Sequence, residues 1–392
     1  MSGNNGNSAD YVILGAGIMG ASIAFHLARR GVTKVVVIEK DHAGQGASGR
    51  SSALIRMHYC FPPEVQLAVK SLEIFEHWKE IVGEPTEFRK TGFVRIVPRQ
   101  ELELLRANVA MQRKLGANVE VIEIADLKKL EPDWNLEDEP AAAYEPNGGY
   151  GDALIATQDL LNASRAMGVE YRPRTRATNI LMNGDKVEGV ATDKGEIHSP
   201  NVVVATGQWT KPLLQAAGID VPIVTEFHQV AILRNPPGMK GGGAACIDSA
   251  KTLYFRSDAQ DKTLVGDFFG EKGVDPDNFP QRPTTDWLEK ILDIASQRVP
   301  KLQNADIMRG ITGVYDVSPD YRPLLGEFRG ACGLYVAAGF SGMGFKISPA
   351  IGLVMAELLL DGESKTVDIS AFRPSRFEEG QPIKAEFEYQ NE

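Results

Sequence analysis

The sequence predicts an α/β protein of two domains, one built on a parallel sheet with packed helices, the other an antiparallel sheet that caps it. Three observations carry this reading. At 392 residues the chain is too long for one ordinary core. Its first forty residues hold an apolar run, a glycine-rich turn, a helical stretch and a second apolar run. Later, apolar and polar residues alternate around polar turns, the mark of antiparallel strands. With 43% hydrophobic and 24% charged residues, the composition is that of a globular protein.

The polar, glycine-rich start "MSGNNGNSAD" is expected to be a disordered tail over residues 1–10, without the apolar region of a signal peptide. Tyr11 to Leu14 reads as a buried parallel strand. Gly15, Gly17 and Gly20 spell G-x-G-x-x-G, and a helix is expected from Met19 to Arg30. "KVVVIEK" reads as the next strand and ends at Glu39. Together these make a Rossmann-like unit. Gly15 allows the tight turn, Gly17 lets a pyrophosphate approach, and Gly20 lets the helix pack on the strand. The helix start at Ile18 and Met19 offers N–H groups to the phosphates. Glu39, followed by Lys40, suits a ribose diol and repels a 2′-phosphate.

An NAD domain would move on to its next strand. Here "GQGASGRSSALIR", Gly44 to Arg56, follows instead. This second small-residue loop, with Ser48, Gly49, Arg50, Ser51 and Ser52, extends the site as the phosphates and ring system of FAD require. A helix and return strand fill Ala153 to Asn183, and the backbone near Ala177 is placed to meet the adenine. Strands are expected at Thr91–Pro98 and Pro222–Leu233, with a hairpin around "SDAQDK" and an amphipathic helix over "TDWLEKILDIASQRV". In the hairpin, Tyr254 faces away from Leu253 and Phe255. "GFSGMGFKISP" places Lys346 just after Gly339, Gly342 and Gly344; Ser348 reads as a helix N-cap and Pro349 as its first turn.

Four stretches in order, "GAGIMGASIAFHLARRG…VVVIEK…GQGASGRSSALIR", "VVVATGQWTKPLL", "GVYDVSPDYRPLLG" and "GFSGMGFKISPAIG", resemble the D-amino acid oxidase superfamily. Within it the likeness is to sarcosine oxidase, glycine oxidase and dimethylglycine dehydrogenase. The resemblance implies a discontinuous FAD-binding domain, 11–87, 145–220 and 322–392, and a substrate domain, 88–144 and 221–321, that caps the flavin. It implies further FAD contacts at Ala205, Thr206, Gly207 and Trp209, and at Gly342, Met343, Gly344, Phe345 and Lys346. It also implies that Arg56 and Lys346 grip a substrate carboxylate, with Tyr315 and Tyr254 at the substrate. Some relatives attach flavin through a cysteine or a histidine; this chain has Gly313 and Ser51 at those places, so non-covalent FAD is expected. Where oxidases carry an oxygen-activating lysine, Leu264 stands here, with Lys262 two residues away.

The expected activity is therefore oxidation of a small carboxylate-bearing amine, sarcosine-, dimethylglycine-, glycine- or proline-like. Hydride passes from the carbon next to nitrogen to flavin N5, the imine hydrolyses, and a dehydrogenase is favoured over an oxidase. Two alternatives stand beside it. One is a 2-hydroxy-acid dehydrogenase, which needs a histidine base, for which His58 and His228 are the candidates. The other is a non-catalytic FAD-binding assembly protein. The acceptor is left open among oxygen, a quinone and an electron-transfer protein, and the oligomeric state is left open too. A net charge of −10 without a basic run argues against nucleic acid, and no apolar stretch reaches membrane-span length. Cys60, Cys246 and Cys332 form neither a metal pattern nor a disulfide framework, which points to no metal and to a reducing cytoplasm.

Overall fold

The computed structural model describes residues 7–239, 241, 243–258 and 261–389. Strand β1 (Tyr11–Leu14), helix α1 (Ile18–Arg29) and strand β2 (Val35–Ile38) form the opening unit. β1 lies parallel between β2 and Val202–Val204. The parallel sheet extends to Ala331–Ala338 on one side and Glu170–Arg172 on the other. Its central strands are nearly all Val, Ile and Leu because both faces are covered. On one face lie α1 and the helices Ala153–Ala166 and Gly344–Asp361. The opposite face is covered by the antiparallel meander Ala177–Asn183, Lys186–Thr192 and Gly195–His198, with the short helix Thr210–Ala216.

Local chemistry sets the helix ends. Asp152 Oδ1 accepts the N–H groups of Leu154 and Ile155, each at 2.9 Å, and starts Ala153–Ala166. Such a cap stabilises a helix by about 1 kcal/mol. At Gly20, a Cβ would lie 1.9 Å from the Gly15 carbonyl oxygen. Only glycine permits this approach of α1 to the end of β1.

A second, nine-stranded sheet is drawn from residues 93–145 and 224–317. It is antiparallel except where Phe93–Val97 lies parallel to Ala245–Asp248. The hairpin forms between Leu253–Ser257 and Lys262–Asp267; residues 259 and 260 of its turn lie outside the described residues. Alternation divides it as the pattern predicts. Leu253 and Phe255 pack into the core under the helix Thr285–Arg298, while Tyr254 and Leu264 pack on the other face. That helix is fastened by Arg298, wholly buried, whose Nε donates to Asp248 at 2.6 Å and whose two terminal nitrogens donate to Asp138 at 2.9 Å.

Two expectations need correction. The tail expected over residues 1–10 ends by Asn7, whose carbonyl accepts the His198 N–H, and Ala9 N–H donates to the His198 carbonyl. Residues 1–6 lie outside the described residues. The helix expected to start at Ser348 starts at Gly344 and runs to Asp361, with Pro349 inside it. Proline lacks the N–H that would bond the Phe345 carbonyl, and Ser348 Oγ donates to that carbonyl instead, at 2.8 Å. Lys346 therefore sits in the helix's first turn. Among the described residues no helix is long and apolar enough to cross a membrane, and no cluster of His, Cys, Asp and Glu could hold a metal.

Candidate active site

A cavity of about 610 Å³ opens at the carboxyl ends of β1 and β2. Its wall starts at Gly15, Gly17, Ile18 and Met19 and passes Glu39 and Lys40 to Ser48, Arg50 and Ser51. It continues through Ala177, then Ala205, Thr206, Gly207 and Trp209. The far end is made by Gly342, Gly344, Phe345 and Tyr315. The N-terminal turns of two helices, α1 and Gly344–Asp361, thus face one space, and both present positive dipole ends to it.

Beside the far end, two cations are brought together. Lys346 is 8% exposed, and its Nζ donates to the Gly342 carbonyl at 3.4 Å. Burial first, and then the charge of Arg56, push its pKa well below the usual lysine value. Arg56 follows the short strand Leu54–Ile55, lies 4.3 Å from the Tyr59 ring centroid and donates to the His58 carbonyl. Glu145 holds the chain just beyond it: Oε2 accepts the Met57 N–H at 2.7 Å. His58 itself is a packing residue, its Nε2 2.8 Å from the Tyr389 hydroxyl.

Tyr315 touches the flavin-side loop, for a Cβ at Gly342 would lie 2.7 Å from its ring. Its hydroxyl bonds Tyr254, and burial pushes its pKa up to about 12. The sequence had left His228 as one candidate of two; the structure puts its ring 4.1 Å from the Tyr315 centroid, with Nε2 2.9 Å from Glu226 Oε1. Glu226 and His228 share a face of the strand Val224–Arg234 because they are two residues apart. That spacing is the local signal of the pair in "TEFHQ".

A family model described as FAD dependent oxidoreductase (DAO) matches residues 10–358. The chain belongs to this family. FAD-dependent oxidoreductase domain-containing protein 1 from Bos taurus is 27% identical, over 94% of this chain and 85% of that protein. Mitochondrial dimethylglycine dehydrogenase from Rattus norvegicus is 25% identical over 94% of this chain, which spans 45% of that protein. Among solved structures, L-proline dehydrogenase from P. horikoshii superposes with a TM-score of 0.90 at 28% identity, covering 96% of this chain and 100% of that one. This is an FAD-dependent oxidoreductase.

The wall of this DAO-family protein fits FAD. Glu39 is fixed at the rim, its carboxylate accepting the N–H groups of Ala16 and Asp41, each at 3.0 Å. The α1 start, the glycine turn and the loop around Ser48 enclose the adjoining stretch, where a pyrophosphate would lie. Some expected cofactor residues stand behind the wall. Gly20 meets Gly15, and Gly49 N–H closes the loop on the Gly44 carbonyl at 2.7 Å. The Ser52 carbonyl accepts Arg256 Nε at 2.6 Å, Met343 caps the last helix, and Lys346 lies under Gly342. Ile18 N–H, expected to face phosphate, donates to Ser48 Oγ at 3.0 Å.

Three wall residues come from the other sheet's segment. Asp277, Phe279 and Gln281 form a strap across the cavity. Lys40 Nζ pairs with Asp277 at 2.6 Å and lies 3.5 Å over the Trp209 ring, whose Nε1 donates to the same carboxylate at 3.0 Å. Arg50 donates to the Thr312 carbonyl at 2.8 Å and to Gln281 at 3.1 Å, and lies 5.3 Å from the Phe279 ring. Lys40, Arg50 and Trp209, expected among the cofactor contacts, hold the strap. Nothing in "DPDNFPQ" beyond its loop character marks this.

Gly313 offers no nucleophile, and a Cβ there would lie 3.3 Å from the Arg50 side chain. Acid or heat precipitation is therefore expected to release FAD into the supernatant; yellow colour in the washed pellet would contradict it. A second outcome concerns pH. Burial raises the Glu145 carboxyl from the ordinary 4.5 to about 7 in the folded protein. The unfolded chain loses this proton first, so stability falls as pH rises from about 4.5 to 7, by roughly 3 kcal/mol at most. Glu145→Gln, compared with wild type by denaturant midpoints across that range, is expected to remove most of this slope. A slope unchanged by the substitution would mean other groups set it.

Proposed function

We propose that this protein oxidises a small amine or amino acid bearing a carboxylate, with a secondary or cyclic amine at the reacting carbon. The observation that carries the reading is the pairing of the buried Lys346 with a second cation, the half-buried Arg56. Each cation makes the other more costly, and burial compounds the cost for Lys346. An anion bound between them relieves both effects. A substrate carboxylate supplies that anion, with two parallel bonds to the guanidinium and a point charge at the ammonium. FAD, when bound, supplies the two-electron acceptor for the C–H bond next to nitrogen.

The chain's own residues do the rest. Arg56 and Lys346 fix one end of the substrate and Tyr315, bonded to Tyr254, limits where its carbon can lie. Tyr315, its pKa raised by burial, stays a neutral donor. To His228, held by Glu226 and stacked on Tyr315, we assign the proton that a substrate ammonium must lose before oxidation. The same histidine favours a second reading, oxidation of a 2-hydroxy acid, where it would take the hydroxyl proton. We read residues 11–87, 145–220 and 322–392 as the cofactor lobe and 88–144 and 221–321 as the substrate lobe. The three free cysteines, two buried and one exposed, accord with a reducing compartment such as the cytoplasm.

We also assign the electrons to an acceptor other than oxygen. Leu264 is buried in an apolar group with Tyr254, Phe93 and Leu54. The buried cation across from it, Arg256, is paired to Asp258 at 3.1 Å and bonded to the Ser52 carbonyl. No uncompensated charge from this pair is offered to superoxide.

The test is anaerobic mixing with N-methyl and cyclic amino acids, and with 2-hydroxy acids, while flavin absorbance is followed. Bleaching by the amino acids alone supports the first reading, and bleaching by hydroxy acids alone supports the second. Lys346→Met is expected to raise KM for a carboxylate substrate roughly ten- to 150-fold, the loss of one charge-assisted bond of about 1.5–3 kcal/mol. An uncharged amine analogue should change little; equal effects on both would place the lysine at the flavin instead. Reduced enzyme is expected to react slowly with oxygen in stopped-flow mixing and faster with an acceptor dye, and Leu264→Lys is expected to speed the oxygen reaction. Fast wild-type reoxidation, unaltered by the substitution, would overturn the dehydrogenase assignment.

A further inference from the structure

We propose that Asp316 is a positioning residue for the flavin and that its carboxylate lowers the reduction potential of the bound cofactor. The proposal rests on FAD occupying the cavity and is independent of which substrate reduces it.

Asp316 adjoins Tyr315 near the end of the long strand Asp306–Val317 and contributes to the cavity wall. It is 6% exposed. One residue holds three successive positions of the loop that closes on the flavin. Oδ2 accepts the Gly339 N–H at 2.6 Å, the carboxylate also bonds the Phe340 N–H, and the main-chain carbonyl accepts the Ser341 N–H at 2.9 Å. The loop needs such a clamp. Ser341, with φ +49°, lies in the left-handed region between Gly339 and Gly342, a strained conformation for a residue with a side chain. The loop leads directly into the helix Gly344–Asp361. Where Asp316 holds the loop, it fixes where that helix's positive end meets the ring system.

The carboxylate is also a charge in its own right. Burial raises its pKa to about 6 against the three backbone N–H groups that lower it, those of Gly339, Phe340 and Asp316 itself. The facing strand places Thr225 opposite it. Charged and titratable groups on the adjoining elements have other partners: Glu226 has His228, Tyr315 has Tyr254, Asp320 has Arg376, and Lys346 has the Gly342 carbonyl and the field of Arg56. Asp316 therefore stands as an anion that no cation on these elements neutralises. Two-electron reduction of a flavin with uptake of one proton leaves it negatively charged near neutral pH. Asp316 opposes that charge, while the helix terminus favours it. Reduction in turn raises the carboxyl's proton affinity, so a second proton enters at Asp316 over part of the pH range.

The test is reductive titration of the holoenzyme with dithionite against a reference dye, from pH 5.5 to 8.5. Wild type is expected to show a steeper fall of potential with pH just above 6 than near 8.5. Asp316→Asn keeps one oxygen for the Gly339 N–H but loses the charge. It is expected to raise the reduction equilibrium constant about tenfold at pH 8, about 30 mV for a two-electron couple, and to remove the steeper region. A constant within twofold of wild type would overturn the proposal. Should Asp316→Asn fail to retain FAD, the wild-type profile decides: a straight line from pH 6 to 7.5 overturns it. Wild-type protein that binds no FAD would instead refute the reading of the cavity.

Discussion

Keeping a buried lysine beside a second cation is the constraint around which the rest of the structure is arranged. Arg56 and Lys346 repel each other, and the buried Lys346 has little water to weaken the repulsion. Their positions are held by neighbouring groups. Glu145 fixes the backbone after Arg56, and the helix start at Gly344 carries Lys346 inward on its first turn. The strand after Gly148, the loop after Ser52 and the last helix all converge there. Two cations held this way are costly, and the proposed recognition of a carboxylate draws on the fold as a whole.

The nucleotide half of the protein was largely readable because its signals are local. A strand, a turn that needs glycine, a helix and an acid at the next strand's end lie within thirty residues, and each has its own physical reason. The hairpin and the split between Leu253, Phe255 and Tyr254 were readable for the same reason: a period of two decides the face. The helix start at Gly344 was misread because Ser348–Pro349 is an N-terminal signature in most contexts. Here the serine hydroxyl satisfies the carbonyl that proline leaves open, so the same dipeptide continues a helix.

What could not be read is what the chain does over long separations. Asp277 and Gln281 sit in a polar, proline-bearing stretch whose only local message is irregular backbone. Their partners, Lys40 and Arg50, had a sufficient explanation in the cofactor alone, and so gave no reason to look for another. The Glu226–His228 pair is intermediate. Its spacing was visible, but its meaning depends on Tyr315, which arrives from a strand 87 residues later than His228 by subtraction of their numbers.

The strap also bears on how the molecule comes to exist. Lys40 and Asp277 are 237 residues apart in sequence, and Arg50 and Gln281 are 231 apart. Closing chain segments this long costs entropy that only the completed surroundings repay, so contacts of this kind belong to the late steps of folding. Until they form, β1, α1 and β2 can already be in place with the nucleotide end of the site open on one side. The outer wall is thus a product of long-range closure, and the finished protein surrounds the cavity with parts of the chain that are translated at quite different times.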